Sequence, residues 1–438
     1  MKRVFALFVS ILMLMSFAAC GPKTPVAPGS DPTAAPTQAV STQEAEAESK
    51  VAVDPETDFN NRFSGYCSIW ENDDMYAWIP VDGSQLYYYD KAADDFGVLC
   101  PLPECMHPLD ESCAAFIPNS APALSYQNGR LYYTAFHHET GSMYDYCLYS
   151  VSIDGSGKTK VMDIPTKETL GGTPQMYYIH RGVLYISLAD DRVEDSVPYQ
   201  VLSWAAIDLE SGELTKMYEE RFDGETWVTG TTMVFMGKYA YMLYSAKLSK
   251  TEYHNKIMRW DSEEKKLETV MDLETETPVN ILMNGGIWVD EELNFYYSTM
   301  GSDRTGEMAK VFRVEEGEPV EILDFAEEED SYDMAFVSDG VAISIINKNG
   351  DQMSKMVWIQ DFGGETVYKG DLPLDFAQEL EGGLLAVMSM NGNRNELIAE
   401  FEAGSTSGEG AKTHYLVKYS ITENGLEYKL LGKCATEQ

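Results

Sequence analysis

Short runs in which apolar and polar residues alternate fill the chain from about residue 63 onward. The runs are rich in β-branched and aromatic residues, and glycine, aspartate or asparagine separates them. A two-residue period with these residue types is typical of half-buried β-strands, and no amphipathic helix of useful length competes with them. The pattern therefore predicts an all-β protein.

An aromatic-rich strand that follows a turn recurs seven times along the chain. The steps between successive copies are 43 to 56 residues, which indicates structural repeats. Because most of the aromatic residues recur at one position of the repeat, we expect them to pack between repeats rather than bind a ligand. The central residues of the seven copies are Tyr76, Tyr132, Tyr185, Tyr241, Tyr296, Ala342 and Leu385.

Each copy is followed by a strand, a turn and another strand, as in the segment from Leu148 to Ile164. With the strand that precedes each copy, the unit has four strands, which is the blade of a β-propeller. A lone blade has an exposed apolar face and an edge strand with unpaired backbone groups, so only a ring of blades buries the apolar faces. The sequence predicts seven four-stranded blades, at residues 63–103, 121–165, 175–219, 228–273, 279–325, 332–370 and 380–433.

The turns between the paired strands, such as Asp154-Gly155-Ser156-Gly157 and Glu210-Ser211-Gly212-Glu213, carry a family resemblance. In them the chain resembles the broad group of TolB-like and PQQ-type propellers. The resemblance implies a β-propeller body. It does not imply an activity, because the group includes binding proteins, scaffolds and enzymes.

The amino terminus has the order of an export signal: a charged start, an apolar run from Val4 to Met15, and Ala18-Ala19 before Cys20. The apolar run is shorter than the roughly 20 residues that cross a bilayer. The residues up to Cys20 resemble the lipobox of bacterial lipoproteins, although Phe17 departs from the usual aliphatic residue. The resemblance implies that residues 1–19 are removed as a signal peptide and that Cys20 is lipidated, which would anchor the protein to the extracytoplasmic face of the cell membrane.

From Gly21 to Phe59 the chain consists mainly of proline, alanine, threonine, serine and glutamate. Such a composition cannot bury enough apolar surface to offset the entropy of ordering. We therefore expect three parts: the signal peptide (1–19), a lipid-anchored flexible linker (20–59) and the propeller domain (60–438).

The formal net charge is −39, from 32 basic and 71 acidic residues. A body this acidic is repelled by nucleic acid phosphates, which excludes nucleic acid as a partner. The charge favours solubility and presentation away from an anionic surface; a cationic or metal-bearing ligand is the alternative.

Three cysteines and one histidine lie within fourteen residues: Cys100, Cys105, His107 and Cys113. Three thiolates and an imidazole are a complete ligand set for structural Zn²⁺. The alternatives are a disulfide within the segment, with the third cysteine bonded to Cys67 or Cys147, and a functional redox or metal site. The spacing C-x4-C-x-H-x5-C resembles that of propeller-like lipoproteins of Gram-positive bacteria, a likeness that implies no particular role. The propeller prediction places the segment between the first two blades.

Cys67 and Cys434 lie in the first strand of the first blade and just after the last strand of the seventh blade. These blades are neighbours in a closed ring, so a disulfide between the two cysteines could close it. Sequence alone cannot test the Cα distance of at most about 7 Å that a disulfide needs.

No motif identifies a reaction. The segment Asp223-Gly224-Glu225-Thr226-Trp227 resembles half of the Asp-box of sialidase-type propellers, which is a blade turn and not a catalytic group. We expect a non-catalytic lipoprotein whose propeller binds or scaffolds a protein, peptide or glycan. The alternative is an extracellular carbohydrate-active hydrolase or lyase that uses carboxylates in the central funnel.

Overall fold

A computed structural model of the chain describes residues 50–54, 57–58, 68–81, 83–118, 120–136, 146–165, 167–224, 226–276, 278–279, 286–299, 309–325, 334–347, 354–377, 383–405 and 412–436. Seven four-stranded antiparallel sheets form a seven-bladed β-propeller, which confirms the predicted fold. Each sheet consists of four strands that are consecutive in the chain.

The strands of blades 1 to 3 are β1 (Ile69–Glu71), β2 (Met75–Trp78), β3 (Tyr87–Asp90), β4 (Asp95–Val98), β5 (Ser120–Gln127), β6 (Arg130–Phe136), β7 (Tyr146–Ser152), β8 (Thr159–Asp163), β9 (Thr173–His180), β10 (Val183–Glu194), β11 (Val197–Asp208) and β12 (Leu214–Asp223). Those of blades 4 and 5 are β13 (Trp227–Met236), β14 (Tyr239–Lys247), β15 (Tyr253–Asp261), β16 (Lys266–Thr275), β17 (Ile287–Val289), β18 (Phe295–Ser298), β19 (Lys310–Glu315) and β20 (Glu318–Asp324).

The strands of blades 6 and 7 are β21 (Met334–Ser338), β22 (Val341–Asn347), β23 (Lys355–Asp361), β24 (Thr366–Leu372), β25 (Gly383–Gly392), β26 (Glu396–Ser405), β27 (Lys412–Thr422) and β28 (Gly425–Thr436). The described helices are one four-residue turn, α1 (Lys167–Leu170), and a 3₁₀ turn at Asp375–Ala377. Within the described ranges, no helix has the length and apolar character needed to span a membrane.

The core lies between neighbouring blades, as the repeated aromatic positions predicted. Tyr185 of blade 3 and Tyr241 of blade 4 are each 1 % exposed, and Tyr185 packs on Phe235 of blade 4 with ring centroids 5.3 Å apart. Tyr132 is only half-buried. Burying one large apolar side chain contributes about 1.5–3 kcal/mol, so packing between the blades stabilises the ring.

The alternating strand directions give the ring two different ends. The turns between the first and second strands of the blades lie at one end, which we call the turn end. The opposite end, where each first strand begins and where the second and third strands join, is called the crossover end.

Side-chain packing closes the ring between blade 7 and blade 1, and none of the described strands is shared between these two sheets. Leu416 and Leu431 of blade 7 belong to the same core cluster as Trp78 of blade 1. The outer strands approach so closely that a Cβ at Gly432 would come within 2.3 Å of Phe96, so only glycine fits there.

A buried carboxylate also links these two blades. Glu400 in β26 has no solvent-exposed surface and accepts hydrogen bonds from Ser68 Oγ (2.8 Å) and from the backbone N–H of Val81 (2.9 Å), both in blade 1. The imidazole of His414, which is equally buried, lies 3.4 Å from the same carboxylate. A buried carboxylate held in this way ties the two blades together through polar contacts.

The described residues from Lys50 to Asp58, which we call the N-terminal strap, lie on the turn end of the ring. They fall within the segment predicted to be a linker. The backbone N–H of Val51 donates to the carbonyl of Glu291 in the first turn of blade 5 (2.8 Å), and the Val51 side chain packs against the core between blades 4 and 5. Lys50 pairs with Glu291 and Glu292, both at 3.1 Å.

A buried ion pair holds the other end of the strap on blade 3. The Asp58 carboxylate is fully buried and pairs with the guanidinium of Arg181, and it also accepts a hydrogen bond from the backbone N–H of Asp54 (2.7 Å). Burial lowers the pKa of neighbouring His180 to about 4. The His180 imidazole donates a hydrogen bond through Nε2 to the carbonyl of Gly237 (2.6 Å). His180 is therefore neutral at neutral pH, and Arg181 is the cation that balances Asp58.

Replacing Arg181 with alanine should release the N-terminal strap. A buried carboxylate without a partner is strongly destabilising. Asp58 should therefore move into solvent together with the rest of the strap. Cleavage within residues 50–58 by low-dose proteinase K, mapped by mass spectrometry, should become at least tenfold faster. Lys50→Ala is the control, because its ion pairs are exposed and contribute little. An equal cleavage rate for Arg181→Ala and the unmodified protein would contradict this role of the pair.

Candidate functional site

The connection from β4 to β5 carries the cysteine-rich segment, at the place that the sequence predicted. Its prolines and polar residues form successive tight turns instead of a helix or strand. Backbone N–H groups of Cys105 and Cys113 donate to the carbonyls of Leu102 and Asp110, each at 3.1 Å, and the Asp110 carboxylate accepts from the Ser112 backbone (2.8 Å). These turns fold the segment back on itself.

The turns bring one potential ligand atom from each of Cys100, Cys105, His107 and Cys113 within 4.8 Å of one another. Cys113 Sγ and His107 Nδ1 are 3.8 Å apart. Around a tetrahedral zinc ion with bonds of about 2.0–2.3 Å, neighbouring ligand atoms lie about 3.5–3.8 Å apart. The four residues, called the Cys₃His cluster below, could thus hold a metal ion after small side-chain movements.

Contacts outside the cluster fix the position of its histidine. His107 has a φ of 53°, in the left-handed region that few residues other than glycine adopt. Its carbonyl accepts a hydrogen bond from Gln85 Nε2 (2.9 Å), and its N–H donates to Cys105 Sγ (3.4 Å). The strained backbone is therefore held by blade 1 on one side and by a cluster sulfur on the other.

Burial and hydrogen bonds act differently on the cluster thiols. Burial tends to raise the pKa of Cys100, but hydrogen bonds from the Leu102 backbone, the Cys105 thiol and the Ala114 backbone outweigh it, so that the pKa is below its usual value. At Cys113 burial dominates and raises the pKa to about 11. A bound cation would favour the thiolate form of both groups.

The segment joins blade 1 to blade 2. Backbone hydrogen bonds connect Leu86 to Ala115 (3.0 Å) and Ile117 to Ser84 (2.8 Å), so the loop runs along blade 1. On the side of blade 2, Lys158 Nζ donates to the Phe116 carbonyl (2.7 Å). The turn of blade 2 at Gly155 approaches the Leu99 carbonyl so closely that a Cβ would come within 2.7 Å of that oxygen.

The other cysteines lie apart from the cluster. Cys147 is buried in β7, where its thiol donates to Asp163 Oδ1 (3.1 Å), and burial raises its pKa to about 12. Cys434 is buried in β28 beside Tyr87. Cys67 lies outside the described residues, so its proposed pairing with Cys434 stays a prediction. The described cysteines, Cys100, Cys105, Cys113, Cys147 and Cys434, carry free thiols in the structure.

A concave cleft, which sequence reasoning did not identify, opens at the crossover end between blades 3 and 4. Its volume is about 570 Å³, within the usual range for small-molecule sites. The Asp-box-like segment leads directly into it, because Trp227 is the first residue of β13. The described residues that line the cleft are Thr173, Gln175, Met176, Ala189, Asp191, Gln200, Trp227, Val228, Thr229, Gly230 and Thr231.

No protein-family model matches the chain, and no curated protein matches it. Among solved structures, the β-propeller domain of the Trilobed protease from Pyrococcus furiosus is 11 % identical with a TM-score of 0.44, covering 84 % of this chain and 96 % of that one. An acylaminoacyl peptidase of Pyrococcus horikoshii is 11 % identical (TM-score 0.42, 84 % of this chain and 59 % of that one). An oligogalacturonate lyase in complex with manganese is 10 % identical (TM-score 0.42, 71 % and 78 %). Likenesses at this level carry no activity to this chain.

Proposed function

We propose that the protein is a membrane-anchored extracytoplasmic lipoprotein whose propeller binds or scaffolds a partner without catalysing a reaction. One observation carries the proposal. The N-terminal strap lies on the turn end of the ring, whereas the cleft opens at the crossover end. The strap therefore leaves the cleft at the opposite end of the ring uncovered and open to a partner.

The anchor itself is tested by replacing the lipidated cysteine. Cys20→Ala should move the protein from the membrane fraction of the producing cells to the soluble or secreted fraction, because the acyl chains supply the membrane affinity. Thr24→Ala, in the same low-complexity segment, should leave the distribution unchanged. Carbonate-washed membranes that still retain most of the Cys20→Ala protein would contradict lipid anchoring at this residue.

The lining of the cleft favours binding over hydrolysis of a glycan at this place, whereas the alternative enzyme would use carboxylates of the central funnel. Glycosidases use two carboxylates about 5–9.5 Å apart, and among the described residues that line the cleft Asp191 alone carries a carboxylate. Purified protein incubated with neutral and uronic oligosaccharides should therefore release no product. Turnover that persists through a second purification, and that is lost when a single carboxylate is changed, would overturn the non-catalytic proposal in favour of a carbohydrate-active enzyme.

For the Cys₃His cluster we propose a structural Zn²⁺ ion. Soft thiolates with one imidazole favour zinc, and four protein ligands leave no open position for a reacting water. The segment connects two blades beside the seam of the ring, and Cys113 belongs to the same core cluster as Leu416 and Leu431 of blade 7. The ion would act by holding the segment in its folded path.

A further inference from the structure

The walls of the cleft come from two different blades. On one side, β10 and β11 pair as far as Glu194 and Val197, which extends this hairpin beyond the start of the inner strand β9 at Thr173. On the other side lies the beginning of β13, from Trp227 to Thr231. The long hairpin therefore raises one wall of the cleft above the ring.

Trp227 differs from every other tryptophan of the chain. Trp227 is 45 % exposed, whereas the remaining six tryptophans are at most 9 % exposed. Exposing an indole forgoes the stabilisation that its burial would give. An exposed indole at the rim of a concave cleft is a flat apolar surface on which the face of a pyranose ring can stack.

Polar groups beside the indole are held in place by the fold. Gln200 is 5 % exposed; its amide N–H donates to Asp191 Oδ1 (3.0 Å) and its carbonyl accepts from the backbone of Val228 (2.9 Å). This bridge joins the two walls and positions the Asp191 carboxylate. The Thr229 hydroxyl donates to the Ser245 carbonyl (2.9 Å), so its oxygen retains accepting capacity for a ligand hydroxyl.

The charge of the lining selects among ligand classes. Lysine and arginine are missing from the described lining, and Asp191 gives it a negative charge. Together with a net charge of −39, this disfavours uronic acids, sulfated sugars and acidic peptides. Its aliphatic side chains are Met176, Ala189 and Val228, which offer no deep apolar pocket for a peptide anchor. Hydroxyl, amide and carboxylate groups next to one aromatic face match an uncharged sugar instead.

We propose that the cleft between blades 3 and 4 binds a neutral oligosaccharide, with one sugar ring stacked on Trp227 and its hydroxyls bonded to Asp191 and Gln175. The inference rests on the proposed binding function and names its ligand class. Asp191 and the exposed amide of Gln175, both of blade 3, supply acceptors and donors on the wall that faces β13.

The exposed indole provides a direct measurement. The probes are maltotetraose, cellotetraose and chitotetraose, with tetragalacturonate as the acidic comparator, each titrated while quenching of tryptophan fluorescence by acrylamide is followed. Because the other tryptophans are buried, quenching reports mainly on Trp227. At least one neutral probe should protect it from quenching in a saturable manner, and tetragalacturonate should bind at least tenfold more weakly.

Variants then locate the site by isothermal titration of the neutral probe that binds. Trp227→Ala should weaken binding at least tenfold, and Trp227→Phe should restore part of the affinity because a ring still stacks. Tyr428→Ala, which removes an exposed aromatic of the outer strand of blade 7, is the control and should bind normally. Melting curves of all variants verify that each is folded.

Three results would overturn the inference. They are the absence of saturable protection by every neutral probe, tighter binding of tetragalacturonate, and full affinity in folded Trp227→Ala. In the last two cases the proposed binding function stands and only the cleft assignment or the ligand class fails. Release of sugar products would instead overturn the non-catalytic function.

Discussion

Removal of the metal from the purified protein is expected to lower its melting temperature by on the order of 10 °C. Structural zinc contributes apparent binding energies of about 10–16 kcal/mol in small zinc domains, and 1 kcal/mol shifts the melting temperature of a 150–250-residue domain by about 2–4 °C, less in a larger one. Elemental analysis should find one zinc per chain before chelation. After chelation, titration of the folded protein should find newly reactive thiols at Cys100 and Cys105, which are only partly buried.

Two buried cysteines give a matched pair of variants for this prediction. Cys113 and Cys147 are both fully buried, but only Cys113 belongs to the Cys₃His cluster. Cys113→Ser should lose zinc and melt like the chelated protein, whereas Cys147→Ser should keep one zinc per chain. Metal-free protein as isolated, with a melting temperature that falls on reduction and not on chelation, would favour the disulfide alternative and contradict the zinc proposal.

The blade count and the position of the cluster could be predicted because both depend on local sequence. Alternating strands and turns repeat at intervals of 43 to 56 residues, and each predicted unit became one sheet. The ligand types and their spacing likewise lie within fourteen residues. The path of the loop could not be predicted, because distant groups such as Gln85 and Lys158 fix it.

The N-terminal strap and the cleft had no comparable local signal. The strap lies in a segment whose composition is typical of a linker, and its docking depends on Arg181, more than one hundred residues away. Trp227 is one of seven tryptophans, and the repeat pattern predicts that most aromatic residues lie in the blade cores. Trp227 is exposed because it is the first residue of β13, where the strand extends past the core. The boundaries of strands are the least predictable part of a hydrophobic pattern.

The seam between blades 7 and 1 has a particular weakness that its polar contacts offset. Among the described strands none is shared between these two sheets, so no backbone ladder crosses the seam. Apolar packing around Leu431 and Phe96 holds it on the outside of the ring. Further in, the carboxylate of Glu400 is the group that accepts hydrogen bonds from two separate parts of blade 1.

Glu400→Ala is accordingly expected to destabilise the ring by about 3–5 kcal/mol, since it leaves the Ser68 hydroxyl and the Val81 N–H without their acceptor and empties the volume of a fully buried side chain. Glu400→Gln should cost less, because an amide carbonyl still accepts one of these hydrogen bonds. Glu402→Ala, two residues along the same strand, is the control and should cost less than Glu400→Ala, because the ion pair of Glu402 with Lys412 lies within blade 7. Urea unfolding followed by fluorescence measures the free energy of unfolding of each variant and so ranks the three substitutions. Equal stability of Glu400→Ala and Glu402→Ala would mean that apolar packing alone closes the ring.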